Sequence, residues 1–168
     1  MDTMSRPGTS SIRDGLVALG LVLGVNALGA SPAVFISSDT AWIDRPWFYP
    51  PEIAFPIVWT LLFTLMGVAL FLVWRRTREL GPGRRRDLGV ALGAFVVQFA
   101  LNFAWTPVFF GLRRPDLGLV VIGALWIAVV GTIVAFARLD RLAAGLLVPY
   151  LGWVSFAFAL NYAIYAAG

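Results

Sequence analysis

Five long apolar stretches alternate with short polar connectors along this chain of 168 residues: about Gly15 to Phe35, Ile53 to Trp74, Leu88 to Phe110, Leu117 to Ala137 and Leu142 to Ala167. About 20 apolar residues in a helix cross the hydrocarbon core of a bilayer, so each stretch is long enough to span one. Backbone polar groups in lipid need internal partners, and the pattern therefore predicts an all-α integral membrane protein, a bundle of five transmembrane helices. The spans leave no room for a separate soluble domain, so residues 1–168 are expected to form a single membrane domain. Three of the connectors are short and rich in arginine, "RRTRELGPGRRRD", "GLRRPD" and "RLDR". The first, residues 36–52, differs in character: it holds "AWIDRPWFYPP", with two Trp, a Phe, a Tyr and three Pro around an Asp-Arg pair.

Polar residues inside the spans are few: Asn26, Thr60, Thr64, Gln98, Asn102, Thr106, Ser155 and Asn161. Gln98 and Asn102 are four apart and Trp105 follows three later, which puts all three near one helical face. Amides in lipid turn inward to meet partners, so this face is expected to point into the bundle, either as interhelical glue or as ligand contact. No Asp, Glu, Lys or Arg lies deep in a span, so an ion-coupled pump has no evident carrier.

Composition agrees with a membrane protein: the chain is 60% hydrophobic and 13% charged, with a mean hydropathy of +0.83. Cys and His are both absent, which excludes disulfides, thiol nucleophiles, structural zinc and the usual axial ligands of haem; no metal site is expected. A net charge of +4 would suit nucleic acid, but the arginines sit in loops between spans and are better explained as topology signals. Ten fall on one side (Arg6, Arg13, Arg75, Arg76, Arg78, Arg84, Arg85, Arg86, Arg138, Arg141) and three on the other (Arg45, Arg113, Arg114). The positive-inside rule then puts the N-terminus in the cytoplasm, and the aromatic first loop and the C-terminus outside. Arg6 and Arg13 before an apolar run that reaches "LGASPA" also resemble a signal peptide; the length of the run and the acidic Asp2 and Asp14 favour its retention as a first helix.

Seven tryptophans are present, and interfacial preference accounts for Trp42, Trp47 and Trp74 near span ends. Trp59 and Trp153 lie inside spans, where a flat indole suits stacking on a planar ring. Trp59, Phe63, Trp105 and Trp153 together would line a pocket for a large, flat, apolar ligand. Pro56, Pro107 and Pro149 are expected to kink their spans and open space between helices. Gly20 with Gly24, Gly89 with Gly93, and Gly131 with Ala135 have the spacing of close helix contacts, inside one bundle or between protomers.

"RPWFYPPEIAFPIVWTLLFTLMG" at Arg45 to Gly67, "QFALNFAWTPVFFG" at Gln98 to Gly111 and "LLVPYLGWVSFAFALNY" at Leu146 to Tyr162 resemble, in order and spacing, the tryptophan-rich sensory protein or translocator protein (TspO, peripheral benzodiazepine receptor) family. The resemblance covers nearly the whole chain from the first loop onward. It implies a five-helix protein of a prokaryotic cell membrane, homodimeric, whose cavity beneath the first loop binds porphyrins and other lipophilic ligands in tetrapyrrole sensing, transport or homeostasis. The family's loop motif falls on Arg45, Pro46, Trp47, Phe48, Pro50 and Pro51, its second-helix Trp on Trp59, and its third-helix Asn and Trp on Asn102 and Trp105. Its fifth-helix ligand positions fall on Tyr150, Trp153, Ala157 and Leu160. Porphyrin or haem would be a ligand, with no cofactor required. Some members break porphyrin down in light, and the two tryptophans implicated match Trp59 and Trp153; an enzymatic role of that kind is the alternative function. Phe48 replaces a second Trp of most relatives, and "LNYAIYAAG" lacks the basic residue of the animal sterol motif, so sterol binding is not implied.

Overall fold

The computed structural model describes residues 8–36, 40–78, 81 and 84–167, with residues 8–11 described by their backbone alone. Arg6 and parts of the first two connectors lie outside the described residues. Among the described residues six α-helices follow in order: α1 (Gly8–Ala30), α2 (Ala54–Thr77), α3 (Arg85–Thr106), α4 (Pro115–Ala137), α5 (Arg141–Leu146) and α6 (Val148–Ala167). A 3-10 turn, Ser31–Phe35, extends α1, and a π-turn, Pro107–Gly111, extends α3. Helices α5 and α6 run on as one apolar span, so five spans are long and apolar enough to cross a membrane. The fold is all-α, as the apolar pattern requires, with no strand among the described residues.

Packing runs α1 on α2, α2 on α5, α4 on α5 and α6, and α3 on α4. The arginine-rich half of the bundle is filled. Met66, Ala69 and Val73 of α2, Phe95 of α3, Val129 and Phe136 of α4, and Leu147 meet there, with the Phe95 and Phe136 rings stacked 6.1 Å apart. Lipid tails are as apolar as these side chains, so this half is held by close van der Waals fit rather than by escape from water. Asp140 closes it. Its Oδ1 accepts from Ala143 N–H (2.9 Å), capping α5, and its Oδ2 accepts from Arg76 Nε (3.1 Å) at the end of α2. Burial opposes ionisation of Asp140, yet the hydrogen bonds from Ala143 and Arg76 outweigh it and hold the carboxyl below its ordinary value.

Of the small-residue pairs, the glycines do not make close contacts inside the bundle, whereas Ala135 is buried in the core. A Cβ at Gly20, Gly24, Gly89, Gly93 or Gly131 would meet nothing within 4 Å, so these glycines look outward from the bundle. Close approach occurs instead at Gly67, where a Cβ would lie 2.6 Å from Val22 Cα, and at Gly29, where it would strike the Phe63 ring at 2.5 Å. Spacing alone finds a small-residue face but not which way the helix turns it.

Of the prolines, Pro56 does not kink its span: it sits in the first turn of α2, where a missing N–H removes no helical hydrogen bond. Pro149 follows the break at Leu147 between α5 and α6, an interruption of the fifth span of the kind expected of it. Pro107 opens the π-turn, closed by Leu112 N–H to Pro107 O at 2.9 Å. The backbone leaves that turn through Arg113, at φ 53°, before Pro115 starts α4.

Candidate ligand cavity

Opposite the filled half, the helices part around a cavity of 480 Å³ bounded by α1, α2, the end of α3, α6 and the first loop. One wall is built by α2 and α6. Trp59 stacks on Phe63 one turn below it (5.2 Å, 27° between planes), Phe55 meets Trp153 edge-on at 6.0 Å, and Trp153 lies 5.3 Å from Phe156. The facing wall comes from the end of α3. Trp105 stacks on Phe109 at 5.0 Å, as four-residue spacing on a helix allows, and the π-turn inserts one extra residue that brings Phe110 edge-on to Phe109 at 4.9 Å.

The polar groups of these walls are mostly paired among themselves. Asn102 Nδ2 donates to Tyr150 Oη (3.0 Å), Trp105 Nε1 donates to Asn161 Oδ1 (3.1 Å), and Asn161 Nδ2 donates to Pro115 O (2.9 Å). On α1, Asn26 Nδ2 donates to Val22 O (2.9 Å) and to Thr64 Oγ1 (3.2 Å). A Cβ on Gly118 would lie 2.8 Å from Asn161 Oδ1, so the bare glycine leaves room for that amide. By contrast, among the described residues Trp59 and Trp153 donate their indole N–H to none. Two donors without a partner among the described residues therefore belong to the aromatic walls.

The first loop covers the end of the cavity. Trp42 packs on Phe109 (5.5 Å), Ile43 is buried against Phe109, Leu160 and Ile164, and Phe48 meets Phe156. Tyr49 N–H donates to Pro46 O (2.9 Å), closing a tight turn. Three successive aromatics on such a turn cannot all face one way. Tyr49 enters the cavity lining, Phe48 seats beneath the loop, and Trp47 points outward at 95% exposure. Arg45 lies at the mouth, its Nη2 2.8 Å from Glu52 Oε1 and 3.0 Å from Thr40 Oγ1, its guanidinium 5.0 Å from the Tyr49 ring. Burial pushes the Tyr49 phenol above its ordinary value, with Arg45 opposing and Glu52 adding to the shift, so the ring faces the cavity as a neutral phenol.

Arg45, Trp59, Phe63, Asn102, Trp105, Trp153, Ala157 and Leu160, expected around one pocket, all line this cavity. Trp47, Phe48 and Tyr150 do not. Tyr150 is fully buried one layer behind, edge-on to Trp59 at 6.3 Å, where it braces the wall. Gln98 is likewise buried away from the cavity, although it shares a helical face with Asn102. Sequence reading missed Tyr49, Glu52, Phe55, Phe109, Phe110 and Phe156. Helical spacing from Trp105 and Trp153 signals Phe109 and Phe156; nothing local signals Glu52, which reads as an ordinary charge before a helix.

Five apolar spans around an aromatic-walled cavity, roofed by a loop, define a class of small polytopic membrane protein with an internal cavity. A sequence model of the TspO/MBR family matches residues 17–166, and the chain belongs to that family, an integral membrane protein family. It is 41% identical over 155 residues to the tryptophan-rich protein TspO of Chlorobaculum tepidum, covering 89% of this chain and 94% of the relative. It is also 38% identical over 141 residues to protein CrtK of Rhodobacter capsulatus (82% and 83%). Similarity extends to the translocator protein of Homo sapiens, at 39% identity over 125 residues (74% and 72%).

Proposed function

We propose that the protein binds a tetrapyrrole, or another flat lipophilic molecule with an acidic edge, in the cavity beneath the first loop. The observation that carries this reading is the pairing of two aromatic walls, each able to stack on a planar ring, with indole donors on Trp59 and Trp153 that other described residues leave unused. A volume of 480 Å³ falls within the range of about 300–1,000 Å³ typical of small-molecule sites. Arg45 at the mouth is the group suited to a ligand carboxylate. A porphyrin held this way is gripped by its faces and acid groups, so metal-free porphyrin serves as well as haem, the chain offering neither His nor Cys as an axial ligand.

The arginine bias puts the N-terminus in the cytoplasm and the loop and C-terminus outside, so ligand exchange takes place at the outer face of the membrane. The first loop acts as a lid, anchored by Trp42, Ile43 and Phe48. The same reading includes a homodimer, for which the outward Gly89 and Gly93 let a second copy approach α3 closely.

Titrating protoporphyrin into the protein in nanodiscs, followed by quenching of Trp fluorescence in the dark, tests the site. Saturable binding weakened about tenfold in a Trp59→Phe, Trp153→Phe double variant is expected, since each Phe keeps the stack and loses a donor. Unchanged affinity in that variant would remove the proposed pocket. Illumination of the same samples examines the alternative, breakdown of bound porphyrin: faster loss of porphyrin absorbance than in detergent alone favours it, and equal rates reject it.

A further inference from the structure

Among the described residues lining the cavity, Arg45 and Glu52 are the charged ones, and they face each other at 2.8 Å. Glu52 stands just before α2 and Arg45 seven residues earlier, so the ion pair ties the loop to the end of the helix across the mouth. We propose that Glu52 is a built-in competitor for the acid group of the ligand and sets how strongly this protein discriminates between acidic and neutral forms of the same ring. The inference rests on the tetrapyrrole reading above and adds the residue that tunes it.

Three observations carry it. First, Arg45 is already engaged: Nη2 serves both Glu52 Oε1 and Thr40 Oγ1, and the guanidinium lies against the Tyr49 ring. An incoming carboxylate therefore has to displace Glu52 or share the cation with it. Second, Glu52 offsets the charge of Arg45, so an approaching anion meets a carboxylate beside the cation rather than an isolated positive charge. Like charges brought together at such distances weaken binding even where solvent screens them. Third, the side chains are 42% and 74% exposed, and pairs in water are weak, so the contact exchanges readily instead of locking the loop shut. Thr40 and Tyr49, which hold Arg45 from its other sides, keep the guanidinium in place when Glu52 lets go.

The test compares protoporphyrin, a dicarboxylic acid, with its dimethyl ester, which has the same ring and no charge, in nanodiscs of neutral lipid. Glu52→Gln is expected to tighten protoporphyrin binding about fivefold at low salt, less at high salt, and to leave the ester within about twofold of the parent. Arg45→Gln is expected to weaken the acid alone. Equal tightening of acid and ester by Glu52→Gln would mean that Glu52 acts by holding the loop closed, and no change for either would mean that it does not compete; both results overturn the inference while leaving the cavity intact. Absence of saturable binding of both ligands to the parent and all variants would overturn the tetrapyrrole reading, and this inference with it. Gln is close to isosteric with Glu at a site this exposed, and unchanged helicity by circular dichroism confirms that the variants fold.

Discussion

Asp140 joins two helices through one carboxylate, capping α5 with one oxygen and holding Arg76 of α2 with the other. Replacing it with Ala is expected to cost about 1–2 kcal/mol, measured by thermal unfolding in detergent. Its carboxyl sits below the ordinary value in the folded protein, so the stabilisation is complete at neutral pH and disappears as pH falls through the folded value. Asp140→Asn should therefore be less stable than the parent at pH 7 and approach it below about pH 4. A constant difference at all pH values would assign the effect to shape rather than charge. Gln98 makes the opposite case. Both its side-chain polar atoms are buried with no partner among the described residues, so Gln98→Leu should raise stability by about 1 kcal/mol. That Gln98 and Asn102 turn inward was legible from their spacing. Which of them finds a partner was not, because it depends on Tyr150, 48 residues further along in sequence from Asn102.

At the scale of elements, the five spans follow directly from apolar run length, since lipid leaves a helix as the one way to satisfy each backbone group. Rotation about each helix axis is the information that run length lacks. Both faces of these helices are apolar, one toward protein and one toward lipid, so amphipathic patterning is weak and the outward glycines resemble the inward ones. A pair of substitutions separates them. Gly67→Ala drives a methyl into the α1 backbone at Val22 and should destabilise by roughly 1–3 kcal/mol, whereas Gly24→Ala, open on all sides, should be neutral or gain up to about 1 kcal/mol in helix propensity. Equal effects in thermal unfolding would mean that α1 and α2 cross elsewhere. The π-turn is a second feature beyond sequence reading: Pro107 signals an interruption, but not that the helix widens and turns Phe110 toward the cavity along with Phe109.

For the whole molecule, the arginine count gives an orientation that is simple to check because the chain has no cysteine. A cysteine placed by Asp44→Cys in the first loop should react with a membrane-impermeant maleimide added to intact cells, and Gly81→Cys between α2 and α3 should react after lysis alone. Reversal of that pattern would put the cavity mouth on the cytoplasmic side. The organisation of the bundle itself, one half filled and the other parted around aromatic walls, was legible in outline because Trp59, Trp105 and Trp153 come from three different spans and all line the cavity. Its mouth was not, since Glu52 has no local signature and the direction of Trp47 is fixed by the turn at Pro46–Tyr49. The central claim is that a planar ligand occupies the 480 Å³ cavity, and filling that space is its most direct test. Ala157 lines the cavity on α6, and Ala157→Phe places a ring where the ligand is proposed to lie. Protoporphyrin titration of this variant in nanodiscs should show saturable binding abolished or weakened at least about tenfold with helicity unchanged; parent-like affinity would contradict the account.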